Sequence, residues 1–456
     1  MKIPGNRLSS FLSDPVFKSL FSIAGPVALH NLVMSSLSFV DTFMIGQLGE
    51  VEIAAVGIGN QLFFLYTLLL YGIGSSCGIF VSQYWGKKDQ AGIRKTAGLS
   101  MLLGLAGSVP FGLVSFLIPE QLVGVFSEDA QVIALGAVYL KVVAVSYVFS
   151  AVSITMAQVQ RSLERARLPL YVSLISLGVN SVLNYLFIFG AAGFPAWGVK
   201  GVALATTIAR LLECIIMLLL VYAGKSNPAA GRFSELFNFG GGFIRRFVRT
   251  ASPVILNEVF WALGMTVFKI VYGRMGTSEL AAVNIAEAVI NLMFVAFIGS
   301  ATGAAVLTGK RIGEGRYDEA KSSGRKFARF SLFEGIAVGI LSLALSGILP
   351  SGFNVDGLIK QNATYIIIVF AFFLPIKSFN IHTIVGVFRG GGDTLFAALV
   401  EIFGVWAVGV PLAFLSGLYF GFPIFIVYIF VSMEEIVKFF FTTRRMISGK
   451  WLHDLT

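Results

Sequence analysis

The sequence predicts an all-α polytopic membrane protein with twelve transmembrane helices in two six-helix lobes related by a parallel internal repeat. Three observations carry this. The 456-residue chain is 56% hydrophobic and only 13% charged, about half the charge of an ordinary soluble protein. Apolar stretches long enough to cross a bilayer recur along its length, where a transmembrane barrel would show short alternating segments. The chain also matches itself at a constant shift of 227 positions, which pairs Pro26 with Pro253, Gly49 with Gly276 and Glu52 with Glu279.

In order, the first span is expected over residues 17–45. It continues well past Pro26, which marks it as a spanning helix and not a cleavable signal segment. The second (53–82) and third (95–118) flank the basic loop "WGKKDQAGIRK". The fourth (132–160) and fifth (168–190) flank "RSLERARL". The sixth (198–223) runs into "GKSNPAAGRFSELFNFGGGFIRRFVR". The seventh (247–273) and eighth (280–308) repeat the first two. The ninth (327–350) follows the basic "GKRIGEGRYDEAKSSGRKFAR". The tenth (361–388), eleventh (395–416) and twelfth (422–443) complete the set, before the basic tail "TTRRMISGK". Intervening loops such as "GQLGEVE" carry few or no Lys or Arg, which places the basic loops and both termini in the cytoplasm. The net charge of +10 reflects this bias and not a nucleic-acid partner. The expected organisation is an N-terminal lobe over 1–223, a cytoplasmic connection over 224–246 and a C-terminal lobe over 247–456. Six is even, so both halves enter from the same side. Repeats of this kind are a common way to build transporters.

Function is sought among the charges inside the spans, which are rare in membrane proteins and tend to face cavities or partners. They are Asp41, Lys141, Arg210, Glu213, Glu258, Lys269, Glu287, Lys377, Glu401, Glu434 and Glu435. Arg210 with Glu213, and Glu434 and Glu435 with Lys438, have the spacing to pair locally. Asp41 lies about 30 Å along its helix at 1.5 Å per residue, with no basic residue within a turn. Its partner must be another helix, water or a bound cation. Glu258 lies roughly 16 Å into the seventh span, near the midplane. Its expected neutralising partner is Lys377, in "PIKSFNIHT". Glu258 and Glu287 replace Asn31 and Asn60 of the first half. Asn180 and Asn184 share one helix face, and Thr206 follows in "GVALATTIAR". Together with Asp41 these groups make an oxygen-rich set suited to a small hard cation, although interhelical hydrogen bonding explains the spacing equally well.

Pro26, Pro253, Pro375 and Pro411 interrupt apolar spans and can kink them. Cys77 and Cys214 sit in apolar runs and read as small buried hydrophobes. No metal-finger or disulfide spacing occurs. "GIGSS" and "FRGGGDT" lack the lysine and hydroxyl of a phosphate-binding loop, and nothing points to an enzyme or a cofactor.

Several segments resemble the multidrug and toxic compound extrusion (MATE) family. They are "GPVALHNLVMSSLSFVDTFMIGQLG", "LNYLFIFGAAGFPAWGVKGVALATTIA", "PIKSFN" and "FRGGGDTLFAALVEIFGVW". The resemblance spans nearly the whole chain. It implies two lobes around a central cleft and a monomeric plasma-membrane antiporter. Such a protein exports amphipathic, often cationic compounds in exchange for Na⁺ or H⁺. It implies a cation site on Asp41, Asn180, Asn184 and Thr206. Some relatives carry a second carboxylate where this chain has Asn184. It also implies a role for Glu258, with Glu287, Lys377 and Asn380 as further candidates for contact with substrate or a second ion. The branch that uses a seventh-helix carboxylate also uses an Asp on the tenth helix, where this chain offers Lys377, Asn380 and His382. Bending of the first helix at the equivalent of Pro26 has been proposed for relatives. The alternative expectation is a lipid-linked precursor flippase of the same superfamily. That cargo calls for a surplus of intramembrane Lys and Arg, whereas acids here equal or outnumber bases. A non-transporting scaffold fits the repeat and the buried carboxylates poorly.

Overall fold

The computed structural model describes residues 14–224, 227–353 and 355–456, with side chains for all of these except 37–40. The expected N-terminal segment before residue 14 and positions 225 and 226 of the inter-lobe connection lie outside the described residues.

Thirteen main helices follow the expected order. They are α1 (Pro15–Gly46), α2 (Glu50–Lys87), α3 (Gln90–Leu117), α4 (Ala130–Val143), α5 (Ser146–Ser162), α6 (Arg167–Phe189), α7 (Val199–Ala223), α8 (Gly241–Met275), α9 (Thr277–Gly313), α10 (Tyr317–Leu345), α11 (Gly357–Ile381), α12 (Thr394–Phe403) and α13 (Ile424–Ser448). The fourth expected span is α4 and α5 together, bent by 53° at the junction. Among the described residues ten helices are long and apolar enough to cross a membrane, eleven counting the bent pair. The twelfth, α13, falls short only because Glu434, Glu435 and Lys438 lie within one turn of each other. Its own salt bridges answer that charge, with Lys438 Nζ 3.1 Å from both Glu434 Oε1 and Glu435 Oε1.

The repeat is written in the backbone. The residues preceding α2 and α9 are Gly49 (φ 151°) and Gly276 (φ 157°), paired by the 227 shift. A Cβ there would lie 2.6 Å from Glu52 Oε2 in the first half and 2.2 Å from Glu279 Oε2 in the second. Glycine is favoured at both for the same reason, a backbone angle that side chains rarely adopt.

Two compact units emerge. One comprises residues 29–248 and the other residues 249–456 together with the beginning of α1 up to residue 28. The two units part after Val248, and the first turns of α1 group with the C-terminal unit. There a Cβ on Gly299 of α9 would lie 2.7 Å from the Ala24 carbonyl, and one on Gly303 would lie 2.9 Å from Leu20. The C-terminal core gathers Phe268, Val271, Tyr272, Phe297, Ile366, Phe370, Leu374 and Val427. The N-terminal unit has one core around Tyr66, Tyr139, Tyr147 and Val202. A second surrounds Cys77, Ile93, Met156 and Met217. Cys77 and Cys214 are free and buried.

Helix continuity is broken by widened π-turns at His382–Phe388, extending α11, and at Gly404–Gly409 and Phe414–Tyr419, extending α12. Pro411 sits between the last two, where its missing N–H disturbs the regular ladder. Small residues set the closest helix approach. On α10 a Cβ at Gly335 would lie 2.6 Å from Pro375 Cα, and one at Gly339 would lie 2.9 Å from the Ala371 carbonyl. This is the small-residue spacing used for packing in membranes. Gly335→Ala is expected to cost about 1–3 kcal/mol through overpacking against immobile backbone, read as a lowered thermal midpoint of the detergent-purified protein. An unchanged midpoint would mean that α10 and α11 part easily.

Candidate functional site

Asp41 lies on the later part of α1, within the N-terminal unit, and is half-buried. The approach of α6 supplies its partners. Asn180 and Asn184, one turn apart, are both buried. Asn184 Nδ2 donates to Asp41 Oδ1 at 2.9 Å. In one orientation of its amide, Asn180 Oδ1 accepts from Asn184 Nδ2 at 3.2 Å. In the other, its NH₂ donates to Asp41 Oδ2 at 3.1 Å. The two orientations differ only in which end of the amide faces the carboxylate. Asn184 Oδ1 is buried with no hydrogen-bond partner. A carboxylate and an unsatisfied amide oxygen thus share one small polar spot among apolar helices.

Thr206 joins through Tyr139, a residue that the sequence did not single out. The Tyr139 ring packs on Gly59, where a Cβ would come within 2.4 Å, and its hydroxyl donates to Asn60 Oδ1 at 2.8 Å. Thr206 and Asp41 both lie within electrostatic reach of the same phenol. The available signal was a phenol two residues before Lys141 in the run "GAVYLKVV". Arg210 also reaches Asp41 electrostatically, although its guanidinium is committed to Glu213 at 3.1 Å and stacks on Phe63 at 5.2 Å.

The four C-terminal candidates do not converge. Glu258 does not pair with Lys377, which corrects the expectation. It meets Arg389 at 2.9 Å. Arg389 is also 3.8 Å from Glu401, which in turn accepts from Asn257 at 3.1 Å. The sequence ends the tenth span at residue 388, one position short of Arg389, which is only 6% exposed. The π-turn between Lys377 and Arg389 adds backbone to the helix and changes which side the later residues face. Lys377 instead pairs with Glu435 at 3.2 Å. Asn380 donates to the same carboxylate at 2.7 Å and accepts from Thr442 at 3.2 Å. Glu287 stands apart, paired with Lys269 at 2.9 Å where both side chains are at least a third exposed.

The fold and the charged groups among its apolar helices describe a polytopic membrane transporter built from two repeated six-helix halves. Known proteins agree. The family model described as MatE matches residues 26–186 and again 253–415, and its two starts differ by the same 227 positions as the internal repeat. The chain belongs to this MATE family of transporters and is not an enzyme. A curated relative, "Uncharacterized transporter YisQ" of Bacillus subtilis, is 25% identical over 97% of both chains. "Probable multidrug resistance protein NorM" of Burkholderia mallei is 28% identical over 88% of this chain and 85% of that one. Among solved structures, one described as the outward-facing conformation of a multidrug resistance MATE family transporter has a TM-score of 0.86, covers 99% of both chains and shares 18% identity. A second, a MOP superfamily transporter from Pyrococcus furiosus, has a TM-score of 0.86 at 19% identity, again over 99% of both chains. These two establish likeness of fold alone.

Proposed function

We propose that the protein is a secondary-active antiporter of the plasma membrane that exports amphipathic, often cationic compounds in exchange for Na⁺ or H⁺. The observation that carries this reading is the Asp41 carboxylate held by Asn184 and Asn180 within an apolar helix, beside a buried amide oxygen that lacks a donor. A hard monovalent cation would be held by the carboxylate and the amide oxygens of Asn184 and Asn180, with Thr206 and Tyr139 bordering the group. A proton would bind Asp41 itself. Ion and drug each favour a different conformation, and each shifts the population only by its differential affinity for the two. An inward ion gradient then drives the drug outward.

In the C-terminal unit we assign contact with a cationic substrate or a second ion to Glu258 and Glu287. Two acids, Glu258 and Glu401, share the single Arg389, which leaves one negative charge over. Lys377 and Asn380 hold Glu435. Of the intramembrane bases, Arg210, Lys269, Lys377, Arg389 and Lys438 each face an acid, while Lys141 is exposed and faces none among the described residues; this near-complete pairing supports a cationic cargo over the anionic cargo of a lipid-linked precursor flippase. The basic loops support cytoplasmic termini, and we take the working unit to be a monomer.

The test is drug efflux from proteoliposomes with Na⁺ and H⁺ gradients imposed separately. One gradient is expected to drive transport and so to name the ion. Transport under neither would reject the antiporter.

A further inference from the structure

A second polar group lies inside the C-terminal unit, where the antiport reading assigns nothing. His382 opens the π-turn that extends α11 and is 0% exposed. Its Nδ1 lies 2.8 Å from the Ser378 carbonyl. A carbonyl only accepts, so Nδ1 carries the hydrogen and Nε2 presents the ring's open lone pair. Nε2 lies 2.8 Å from Ser300 Oγ on α9 and 3.2 Å from Glu334 Oε2 on α10. Ser300 Oγ lies 3.0 Å from both Glu334 oxygens. These three side chains form a closed triangle in which every edge has hydrogen-bond length.

The hydrogens can be counted. With a neutral imidazole and an ionised Glu334, the triangle holds one hydrogen, that of the Ser300 hydroxyl. It faces the carboxylate and Nε2, and also the Ala296 carbonyl at 2.9 Å. One hydrogen fills one edge. The other contacts then set lone pair against lone pair in a buried place, an arrangement that proteins avoid. One added proton resolves this. On Nε2 it donates to Glu334 or Ser300, and the Ser300 hydroxyl donates to the carboxylate. On Glu334 it would donate to Nε2 or to Ser300 and leave one edge without a hydrogen, so the geometry places it on Nε2, whose N–H faces both neighbours. The geometry is that of the protonated cluster.

Other charges packed against this segment are engaged elsewhere. On α10, Lys326 pairs with Asp14, and Arg325 and Arg329 are exposed. On α11 and its extension, Lys377 pairs with Glu435 and Arg389 with Glu258. On α12 and at its start, Glu401 faces Arg389 and Asp393 faces Arg445. On α13, Glu434 and Glu435 face Lys438. On α9, Glu287 faces Lys269. Against the ring itself lies Phe330, edge-on at 6.2 Å.

We propose that Glu334, Ser300 and His382 form a proton-binding site in the C-terminal unit, taking one proton from water through the partly exposed Glu334 and sharing it with the buried imidazole. The inference stands on these side chains alone and is tested without transport, so failure of the antiport reading would leave it intact. The full chain is labelled with ¹⁵N-histidine, purified in detergent micelles and titrated by NMR from about pH 5 to 9, around the ordinary range of imidazole. H382Q assigns the signal. Infrared difference spectra over the same range, with E334Q as the reference, report a protonated Glu334. Proton uptake is expected on one of the two groups. Replacing its partner, by E334Q or H382Q respectively, is expected to weaken that uptake about tenfold, a shift of one pH unit. Absence of uptake on both groups, or uptake indifferent to loss of the partner, would overturn the site.

Discussion

Asp41→Asn is expected to abolish ion-driven efflux while leaving the protein folded and present in the membrane at its normal level. The substitution keeps the shape of the side chain and an oxygen able to accept from Asn184 Nδ2, the contact now at 2.9 Å. Only the charge is lost. Attraction between a unit charge and a cation about 4 Å away is worth about 4 kcal/mol at an effective dielectric near 20. Its loss weakens ion binding about a thousandfold. Gradient-driven efflux in proteoliposomes reads the function, and size-exclusion chromatography reads the fold. Normal efflux by a well-folded variant would remove Asp41 from the coupling step.

Lys438→Met is expected to have the largest effect on stability. In the C-terminal unit, Lys438 and Lys377 oppose Glu434 and Glu435, two charges against two. Lys438, Glu434 and Glu435 are each about 5% exposed. Removing one ammonium leaves a buried carboxylate without its counter-charge, which costs roughly 3–5 kcal/mol. Glu434 bears the loss, because Glu435 keeps Lys377 and Asn380. The Lys438→Met, Glu434→Gln pair is therefore expected to recover much of the single variant's loss. Thermal midpoints of the detergent-purified single and double variants measure this. Additive losses would show that the two residues do not act as a pair.

Much of this was legible in the sequence because it depends on spacing along one helix. The 227-residue shift found the repeat, and the i,i+4 spacing of Asn180 and Asn184 put both on one helix face, which the family resemblance, not the spacing, set beside Asp41. The local pairs Arg210–Glu213 and Lys438 with Glu434 and Glu435 follow from i,i+3 and i,i+4 geometry. Partners on different helices were not legible, because hydropathy fixes a helix's length and not its rotation. Lys377 and Arg389 lie on one continuous segment, and regular periodicity cannot carry a face across the π-turn between them. Tyr139 and Thr206 meet across two helices whose apolar residues gave no sign of which way either faced. Even the repeat informs by exception. Phe268 stands where Asp41 would recur, and it is a 4% exposed member of the C-terminal core. That position is a packing site in one half and a charged one in the other.

The grouping of the first turns of α1 with the C-terminal unit bears on biosynthesis. Leu20 and Ala24 leave the ribosome long before α9, yet the glycines they cover, Gly299 and Gly303, belong to that helix. This part of α1 must wait in the bilayer while the intervening helices are inserted. The C-terminal half translated alone would leave that face of α9 bare. Order of synthesis and order of packing are opposed, and a gene cut between its two repeats would not yield two self-sufficient halves.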